Sequence, residues 1–188
     1  MKTAGSGNDL RVRRTHKLLR QALEELLSEP GQHFSSITVN QICEKAMVHR
    51  TTFYKHFEDK FDLLALLLSQ DNNEYMNYSM EELLQTPFQI TSKNPNLDLY
   101  AKIMQTQKND EVFTSYIKSQ QKETLKQVML ELNQKGKKFS VPIEIIAEVY
   151  SEVSSSLSIW WLQGGRQVPP EQMDHYLHEL LNKDLFWK

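Results

Sequence analysis

The segment from His49 to Phe57 holds the densest set of chemically active side chains in this sequence: a guanidinium, an ammonium, two imidazoles and three hydroxyls. In a helix, Phe53 and Phe57 are four residues apart and share one face, which predicts that both are buried. The side chains predicted to project outward all donate hydrogen bonds: Arg50, Thr51, Tyr54, Lys55 and His56. Helices in the major groove of DNA use such donors on phosphate oxygens and base edges, so the segment predicts contact with double-stranded DNA.

Lys60 extends the same chemistry a few residues later. Asp59, with Asp62 three residues on, is predicted to cap a helix that runs from Lys60 to about Tyr78. An ammonium beside the positive end of a helix suits a phosphate group, so we expect Lys60 to contact the DNA backbone.

Two short helices joined by a tight turn must position these side chains. Thr38, followed three residues later by Gln41, is a capping box, and Ile37 and Ile42 occupy the staple positions around it. Two short helices with about three residues between them are typical of a helix-turn-helix. The predicted elements are a helix over 39–46, a turn over 47–49 and a helix over 50–56.

A longer helix is predicted before this pair, from Leu10 to Ser28, and Pro30 with Gly31 ends it. Its first half is basic: Arg11, Arg13, Arg14, Lys17 and Arg20. Its second half has one apolar face: Leu19, Ala22, Leu23, Leu26 and Leu27.

The remainder also predicts helices, since it shows neither persistent alternation nor a hairpin signal. Pro142 is expected at the first helical position of a helix that ends at Gly164 and Gly165. The predicted elements are a loop over 87–96, helices over 97–108, 110–134 (with or without a break), 142–163 and 171–182, and a turn over 135–138. The predicted fold class is all-α.

The run from Thr38 to Leu64 closely resembles the DNA-binding domain of the TetR family of bacterial transcriptional regulators. That family has a recognition helix with Thr-Phe/Leu-Tyr-x-His/Tyr-Phe and a Lys-x-Asp/Glu-Leu at the head of its fourth helix. The matching residues are Thr52, Phe53, Tyr54, His56, Phe57, Lys60 and Leu63. The resemblance implies that the DNA contacts are Thr38, Arg50, Thr51, Thr52, Tyr54, Lys55, His56 and Lys60.

Two positions depart from the family pattern. Met47 stands where most members have glycine after the second helix, and His49 stands where a serine caps the recognition helix. Losing a left-handed glycine costs about 1 kcal/mol, and we expect packing of Met47 to offset that cost. The departures therefore bear on the docking angle, and His49 can still reach a phosphate.

The resemblance covers residues 10–65 and implies a three-helix DNA-binding domain. A fourth helix joins it to a helical dimerisation and ligand domain, 66–188, and residues 1–9 are predicted to be flexible. Independently, the helices over 142–163 and 171–182 carry apolar stripes, with small residues that would permit close approach: Ser151, Ser154, Ser155, Ser156 and Ser158. Two such helices from each subunit would form a four-helix bundle, which predicts a homodimer on a pseudo-palindromic operator.

Seven side chains of the C-terminal part either line a cavity for an apolar or cationic effector or form ordinary core: Tyr100, Met104, Phe113, Tyr116, Tyr150, Trp160 and Trp161. The effector interpretation rests mainly on analogy with the family.

Charge and composition exclude several other classes. Residues 1–60 carry a net charge of +3 and residues 61–188 a net charge of −5, consistent with a nucleic-acid-binding head. The longest apolar run, Leu63 to Leu68, is far shorter than the roughly 18 residues of a membrane helix. The first eight residues lack the apolar stretch of a secretory signal, so no membrane association and a cytoplasmic location are expected.

Catalysis and cofactors are not expected either. The sequence has no Gly-rich phosphate loop, no Gly-x-Ser-x-Gly and no paired-His metal signature in a helix, which argues against an enzyme. His175 and His178 are three residues apart without an indicated third ligand, so no metal is expected. Cys43 is the one cysteine and is predicted to be buried, with no assigned role.

The prediction is therefore a homodimeric transcription regulator. Repression is inferred from the usual activity of the family's members. Release from DNA is expected when an effector shifts the population of DNA-binding conformations. The alternative is a co-regulator of the same fold that works through a protein partner with weak or absent operator binding. Steep salt dependence of DNA binding would distinguish the first hypothesis from the second.

Overall fold

The structure is a computed structural model that describes residues 5–69 and 78–181, and within these ranges it is helical with no β-strand. The predicted all-α class is confirmed. The chain divides into two compact units, residues 1–70 and 71–188, which are described one at a time. The sequence-based domain limits of 10–65 and 66–188 stay a prediction.

The first unit contains α1 (Gly5–Ser28), α2 (Val39–Ala46), α3 (Arg50–Phe53) and α4 (Lys60–Ser69). α1 starts at Gly5 rather than at the predicted Leu10, so the described part of the predicted flexible N-terminus is helical. α1 packs against α2 and α4, and α2 packs against α3. The predicted apolar face of α1 is buried: Leu19, Ala22, Leu23, Leu26 and Leu27.

The caps predicted for α2 and α4 are both present. The Thr38 hydroxyl accepts the N–H of Gln41 at 3.2 Å, and Oε1 of Gln41 accepts the N–H of Thr38 at 2.8 Å. Oδ1 of Asp59 accepts the N–H groups of Phe61 and Asp62 at 2.7 and 3.1 Å. These bonds satisfy amides that a helix start leaves without partners. The predicted end of α4 near Tyr78 falls on residues 70–77, which lie outside the described residues.

The second unit contains α5 (Met80–Gln85), α6 (Pro87–Ser92), α7 (Leu97–Thr106), α8 (Glu111–Gln134), α9 (Ile143–Gln163) and α10 (Pro170–Leu180). α9 packs against α7, α8 and α10, and α6 packs against α10. The core between them is apolar and includes Phe88, Met129, Ile146, Trp161, Met173 and Leu177. α8 is one continuous helix, and the predicted turn after it contains Gly136 in a left-handed conformation, φ 94°.

The predicted loop over 87–96 is wrong, because most of it is α6. Pro87 stands at the first helical position, where its fixed φ favours a helix. The amides of Phe88 and Gln89 donate to the carboxylate of Asp174 on α10. A side chain from far along the sequence, that of Asp174, therefore caps α6. The sequence around residues 87–92 contains no sign of this cap.

Candidate nucleic-acid interface

The turn between α2 and α3 is closed by Met47 in a left-handed conformation, with φ 53° and ψ 41°. The N–H groups of Met47 and Val48 donate to the carbonyls of Glu44 and Cys43 at 3.1 and 2.9 Å. The side chain of Met47 is 90% exposed, so the expectation that its packing offsets the strain is wrong. The turn keeps the shape that glycine usually provides and carries the backbone strain of a larger residue.

α3 is shorter than the predicted helix over 50–56. It spans Arg50–Phe53, and the chain continues in a turn in which the N–H groups of His56 and Phe57 both donate to the carbonyl of Phe53, at 2.9 and 3.0 Å. These two hydrogen bonds continue a helix-like turn, so Phe53 and Phe57 lie on the same side of the backbone. As predicted, both are buried, and their ring centroids are 5.4 Å apart.

The opposite side presents hydrogen-bond donors to solvent. The exposed members of the predicted set are Thr38, Arg50, Thr51, Tyr54 and Lys55, and the half-buried members are Thr52, His56 and Lys60. The Arg50 guanidinium lies 5.7 Å from the centroid of the Tyr54 ring, and its Nη2 lies 3.5 Å from the Tyr54 hydroxyl. This contact orders the guanidinium beside the phenol on the exposed side of α3.

His56 is packed against a residue that sequence analysis missed. The ring of His16, on α1, meets His56 edge-on at 5.0 Å between centroids and lies 5.0 Å from Phe57. Burial lowers the pKa of His16, and the neighbouring His56 lowers it further. The ring of His16 therefore supports His56 from inside the unit. Forty positions separate the two histidines, and no sequence pattern links them.

The Lys60 ammonium lies against the backbone of its own unit. Its Nζ donates to the carbonyls of Phe34, Ser35 and Ile37 at 2.7, 3.1 and 2.8 Å. An ammonium has three protons, so this one directs its full donor set at the loop between α1 and α2. The expected phosphate contact through Nζ stays a prediction; in this arrangement the ammonium binds the protein's own backbone.

In the second unit, α9 and α10 present an apolar surface to solvent. Its most exposed members are Ile145, Val149, Trp160, Tyr176 and Leu180. A shallow groove on it is lined by Leu157, Trp160, Tyr176, Glu179 and Leu180. We call these seven residues the α9/α10 face. The prediction that five serines of α9 lie there needs correction, because Ser151 and Ser155 are buried inside the unit and Ser155 donates to Gln121 on α8.

The seven residues predicted to line an effector cavity do not share one environment. Phe113, Tyr150 and Trp161 are buried, whereas Trp160 is 56% exposed on the α9/α10 face. The half-buried members are Tyr100, Met104 and Tyr116. The Tyr150 hydroxyl donates to the carbonyl of Leu84 at 2.8 Å, and Trp161 Nε1 donates to that of Val168 at 2.7 Å. Tyr150 and Trp161 are thus structural parts of the core.

The remaining candidates also have defined places. Cys43 is buried as predicted, and burial raises the pKa of its thiol. His178 Nε2 lies 2.6 Å from the carbonyl oxygen of Gln85, while His175 is exposed. Among residues 5–69 and 78–181 there is no group of three His, Cys, Asp or Glu side chains that could hold a metal ion. No helix in those ranges is long and apolar enough to span a bilayer.

Comparison with known families identifies the second unit. Residues 79–183, more than half of the chain, match the TetR_C_8 family, described as a transcriptional regulator C-terminal region. The chain belongs to the TetR family of transcriptional regulators. The resemblance predicted from Thr38 to Leu64 lies outside this match, so the two halves of the chain point to the same family by separate routes.

Two curated relatives cover parts of the chain. YxbF, an uncharacterized HTH-type transcriptional regulator of Bacillus subtilis (strain 168), is 33% identical over 70 residues, 37% of this chain and 18% of that protein. DhaS, the HTH-type dhaKLM operon transcriptional activator of Lactococcus lactis subsp. lactis (strain IL1403), is 29% identical over 106 residues, 53% of this chain and 54% of DhaS. The chain spans about half, or less, of the length of these relatives.

Solved structures share the fold of this TetR-family chain. A TetR transcriptional regulator from Streptococcus agalactiae 2603V superposes with a TM-score of 0.58 at 21% identity, covering 92% of this chain and 96% of that one. The dihydroxyacetone kinase operon activator DhaS superposes with a TM-score of 0.54 at 16% identity, covering 93% and 98%. At such identities these structures establish the all-helical TetR architecture.

Proposed function

We propose that this chain is a homodimeric DNA-binding regulator that contacts an operator through α3, the turn after it and the start of α2. The observation that carries the proposal is a row of exposed hydrogen-bond donors whose backbone is anchored by buried aromatic side chains. Phe53 and Phe57 fix the inner side, and Arg50, Tyr54 and Lys55 face solvent. A protein surface of this kind suits the groove and phosphates of double-stranded DNA.

Each contact has a role that follows from its chemistry. Arg50 is the base-reading side chain, because a guanidinium matches the two acceptors of guanine in the major groove. Tyr54, Thr51 and Thr52 bring hydroxyls, and Lys55 an ammonium, to phosphate oxygens. Thr38 stands at the positive end of α2, and half-buried His56 adds a ring nitrogen at the edge of the surface.

Dimerisation through the α9/α10 face is part of the proposal. This surface combines large apolar side chains on two neighbouring helices, and a two-fold axis would turn four such helices into a bundle. We expect Trp160→Asp with Leu180→Asp to raise the dimer dissociation constant by at least about 100-fold, as loss of central interface residues does.

Sedimentation velocity measures that constant. Val112→Asp is the control for a single added charge, since it places one aspartate at an exposed apolar position on α8 outside this face. A double variant that stays as dimeric as the control would contradict the assignment of the interface.

Repression, with release by an apolar or cationic effector, completes the proposal, along with a cytoplasmic location beside the DNA. The half-buried residues Tyr100, Met104 and Tyr116 are the members of the predicted effector set that a ligand could reach with the least disturbance of the core. Activation is the second candidate, favoured by the name of DhaS, an operon activator. A reporter gene behind the operator, measured with and without this chain, separates repression from activation by its sign.

The test of DNA binding is a titration of the purified protein against labelled DNA from its own upstream region, beside a scrambled duplex, at several salt concentrations. We expect tight, salt-sensitive binding with sequence preference, which Arg50→Ala relaxes. Lys108→Ala is the control, since it removes a positive charge from an exposed site in the second unit. Binding without sequence preference, or preference unaffected by Arg50→Ala, would contradict the proposal. The first result would favour the co-regulator that acts through a protein partner.

A further inference from the structure

The ammonium of Lys60 is surrounded by backbone carbonyls of its own unit. It meets the carbonyl oxygens of Phe34, Ser35 and Ile37 within 3.1 Å and lies 4.6 Å from the centroid of the Phe34 ring. Three carbonyl dipoles that point at one place repel one another unless a cation lies between them. The loop between α1 and α2 is thus built around an ammonium that the start of α4 supplies.

This loop leads directly to a predicted DNA contact. Ile37, one of the three residues whose carbonyls bind Lys60, is buried, and the next residue is Thr38. Thr38 has the extended conformation of an N-cap, φ −103° and ψ 155°, with its hydroxyl at the exposed start of α2. The direction in which the chain leaves the carbonyl of Ile37 therefore determines where that hydroxyl and the first amides of α2 point.

We propose that Lys60 is a positioning residue for DNA binding: it acts through the 34–37 loop and Thr38 and makes no phosphate contact of its own. The inference rests on the proposed function. An ammonium that turned toward a phosphate would have to release the three carbonyls, and the loop would lose the cation that holds it. Replacing Lys60 should therefore weaken binding to all DNA sequences alike, without changing the number of phosphates that the protein neutralises.

The salt dependence of binding distinguishes positioning from contact. For a direct phosphate contact, removing the charge flattens the slope of log K against log salt by about 0.9. We expect Lys55→Met, at an exposed position on the DNA-facing side, to show this change. We expect Lys60→Met to weaken binding at least about tenfold at every salt concentration and to keep the wild-type slope. Lys60→Arg should not restore affinity, because a planar guanidinium cannot direct three N–H groups from one nitrogen.

A double-mutant cycle separates positioning from a loss of stability. If Lys60 acts through Thr38, the effect of Lys60→Met should fall from at least about tenfold in the wild type to about threefold or less in a Thr38→Val background. A merely structural role would leave the two effects multiplicative. Binding is measured at a temperature where circular dichroism shows every variant to be folded.

Should the Lys60 variants fail to fold, the wild-type protein still provides a test. Lysine-selective NMR of the ammonium groups reports each Nζ with and without operator DNA. The proposal expects the Lys60 signal to stay unchanged on DNA binding while the Lys55 signal shifts. A flattened slope for Lys60→Met, wild-type affinity in Lys60→Arg, multiplicative effects in the cycle, or a Lys60 signal that shifts with DNA would each overturn it. Absence of selective DNA binding by the wild type would instead contradict the proposed function, so the two failures are distinguishable.

Discussion

One helix of the first unit, α2, and one helix of the second unit, α6, start in different ways. In the first unit, α2 is capped from within by Thr38 and Gln41, three residues apart. In the second, α6 is capped by Asp174, whose Oδ1 accepts the N–H of Phe88 at 2.8 Å across 86 positions of sequence, and whose Oδ2 accepts both the N–H and Nε2 of Gln89 at 3.2 and 3.0 Å. A local cap is readable from sequence, whereas a remote cap ties together segments that only the folded chain brings into contact.

Removing the remote cap should have the largest effect on stability. Asp174 is 3% exposed, so Asp174→Ala would leave two backbone amides without an acceptor inside the unit. We expect a loss of about 3 kcal/mol in the free energy of unfolding. All three tryptophans lie in the second unit, so their fluorescence during urea unfolding reports on that unit.

Two controls sharpen this prediction. Asp174→Asn keeps one carbonyl oxygen and should cost less than Asp174→Ala, while Glu171→Ala, at an exposed position on the same helix, should cost a few tenths of a kcal/mol. If Asp174→Ala were no worse than Glu171→Ala, the cap would contribute nothing and the contrast between the units would fail.

The pH dependence of stability should also distinguish Asp174. Burial raises the pKa of its carboxyl above the ordinary value of 3.8, although hydrogen bonds from Phe88 and Gln89 oppose the shift. Because the folded pKa is the higher one, the stability linked to this proton is fully present below pH 3.8 and is lost as the pH rises through the folded pKa. Wild type should therefore lose stability relative to Asp174→Asn over that window. A difference that stays constant with pH, measured by urea unfolding, would contradict the assignment.

The same contrast explains how much the sequence could reveal. The capping box at Thr38, the aspartate cap at Asp59 and the spacing of Phe53 and Phe57 are short-range signals, and the structure bears them out. The sequence is silent where contacts join distant positions. Nothing in the sequence shows that carbonyls more than 20 residues earlier surround the ammonium of Lys60.

Exposure within a helix was similarly hard to predict. Periodicity groups the residues of α9 into faces, but it does not say which face meets the rest of the unit. Ser151 and Ser155 lie on the buried side, while Trp160 lies on the exposed side next to buried Trp161. Small size favours an interface position for the serines, although the hydroxyls of Ser151 and Ser155 bond within the unit, to Glu148 and Gln121. Packing against α8 and α10 decides the orientation, and that packing depends on the whole unit.

Removing the local cap should have a smaller effect than removing the remote one. Thr38→Ala breaks the bond to the amide of Gln41, but that position is exposed and water can replace the lost acceptor. We expect a loss of about 1 kcal/mol in the free energy of unfolding of the first unit. Far-UV circular dichroism follows the unfolding of helices in both units, whereas tryptophan fluorescence follows the second unit alone. A change in the circular dichroism signal without a matching change in fluorescence therefore reports on the first unit.

Thr38→Ser is the matched control, since it keeps the capping oxygen and should retain most of the stability. Equal losses for Thr38→Ala and Asp174→Ala would show that local and remote caps stabilise their helices alike, contrary to the comparison.

The smallest expected effect is a gain in stability. Met47 holds a left-handed conformation with its side chain almost wholly exposed, so Met47→Gly removes backbone strain and sacrifices no packing. The entropy that glycine adds to the unfolded chain offsets part of this relief, which leaves an expected stabilisation of about 0.5 kcal/mol. Gly136→Ala in the second unit is the converse control. Its φ of 94° is one that residues with a side chain rarely adopt, so alanine should strain the backbone and lower stability although its methyl group would meet no other atom.

Operator binding by Met47→Gly then tests what the methionine does in the turn. With the backbone conformation preserved and the proposed DNA contacts untouched, affinity should stay at the wild-type value. A variant that is more stable but binds the operator less tightly would mean that the exposed methionine takes part in the complex. A variant that is less stable would mean that the turn is not strained, and the cost assigned to the missing glycine would be wrong.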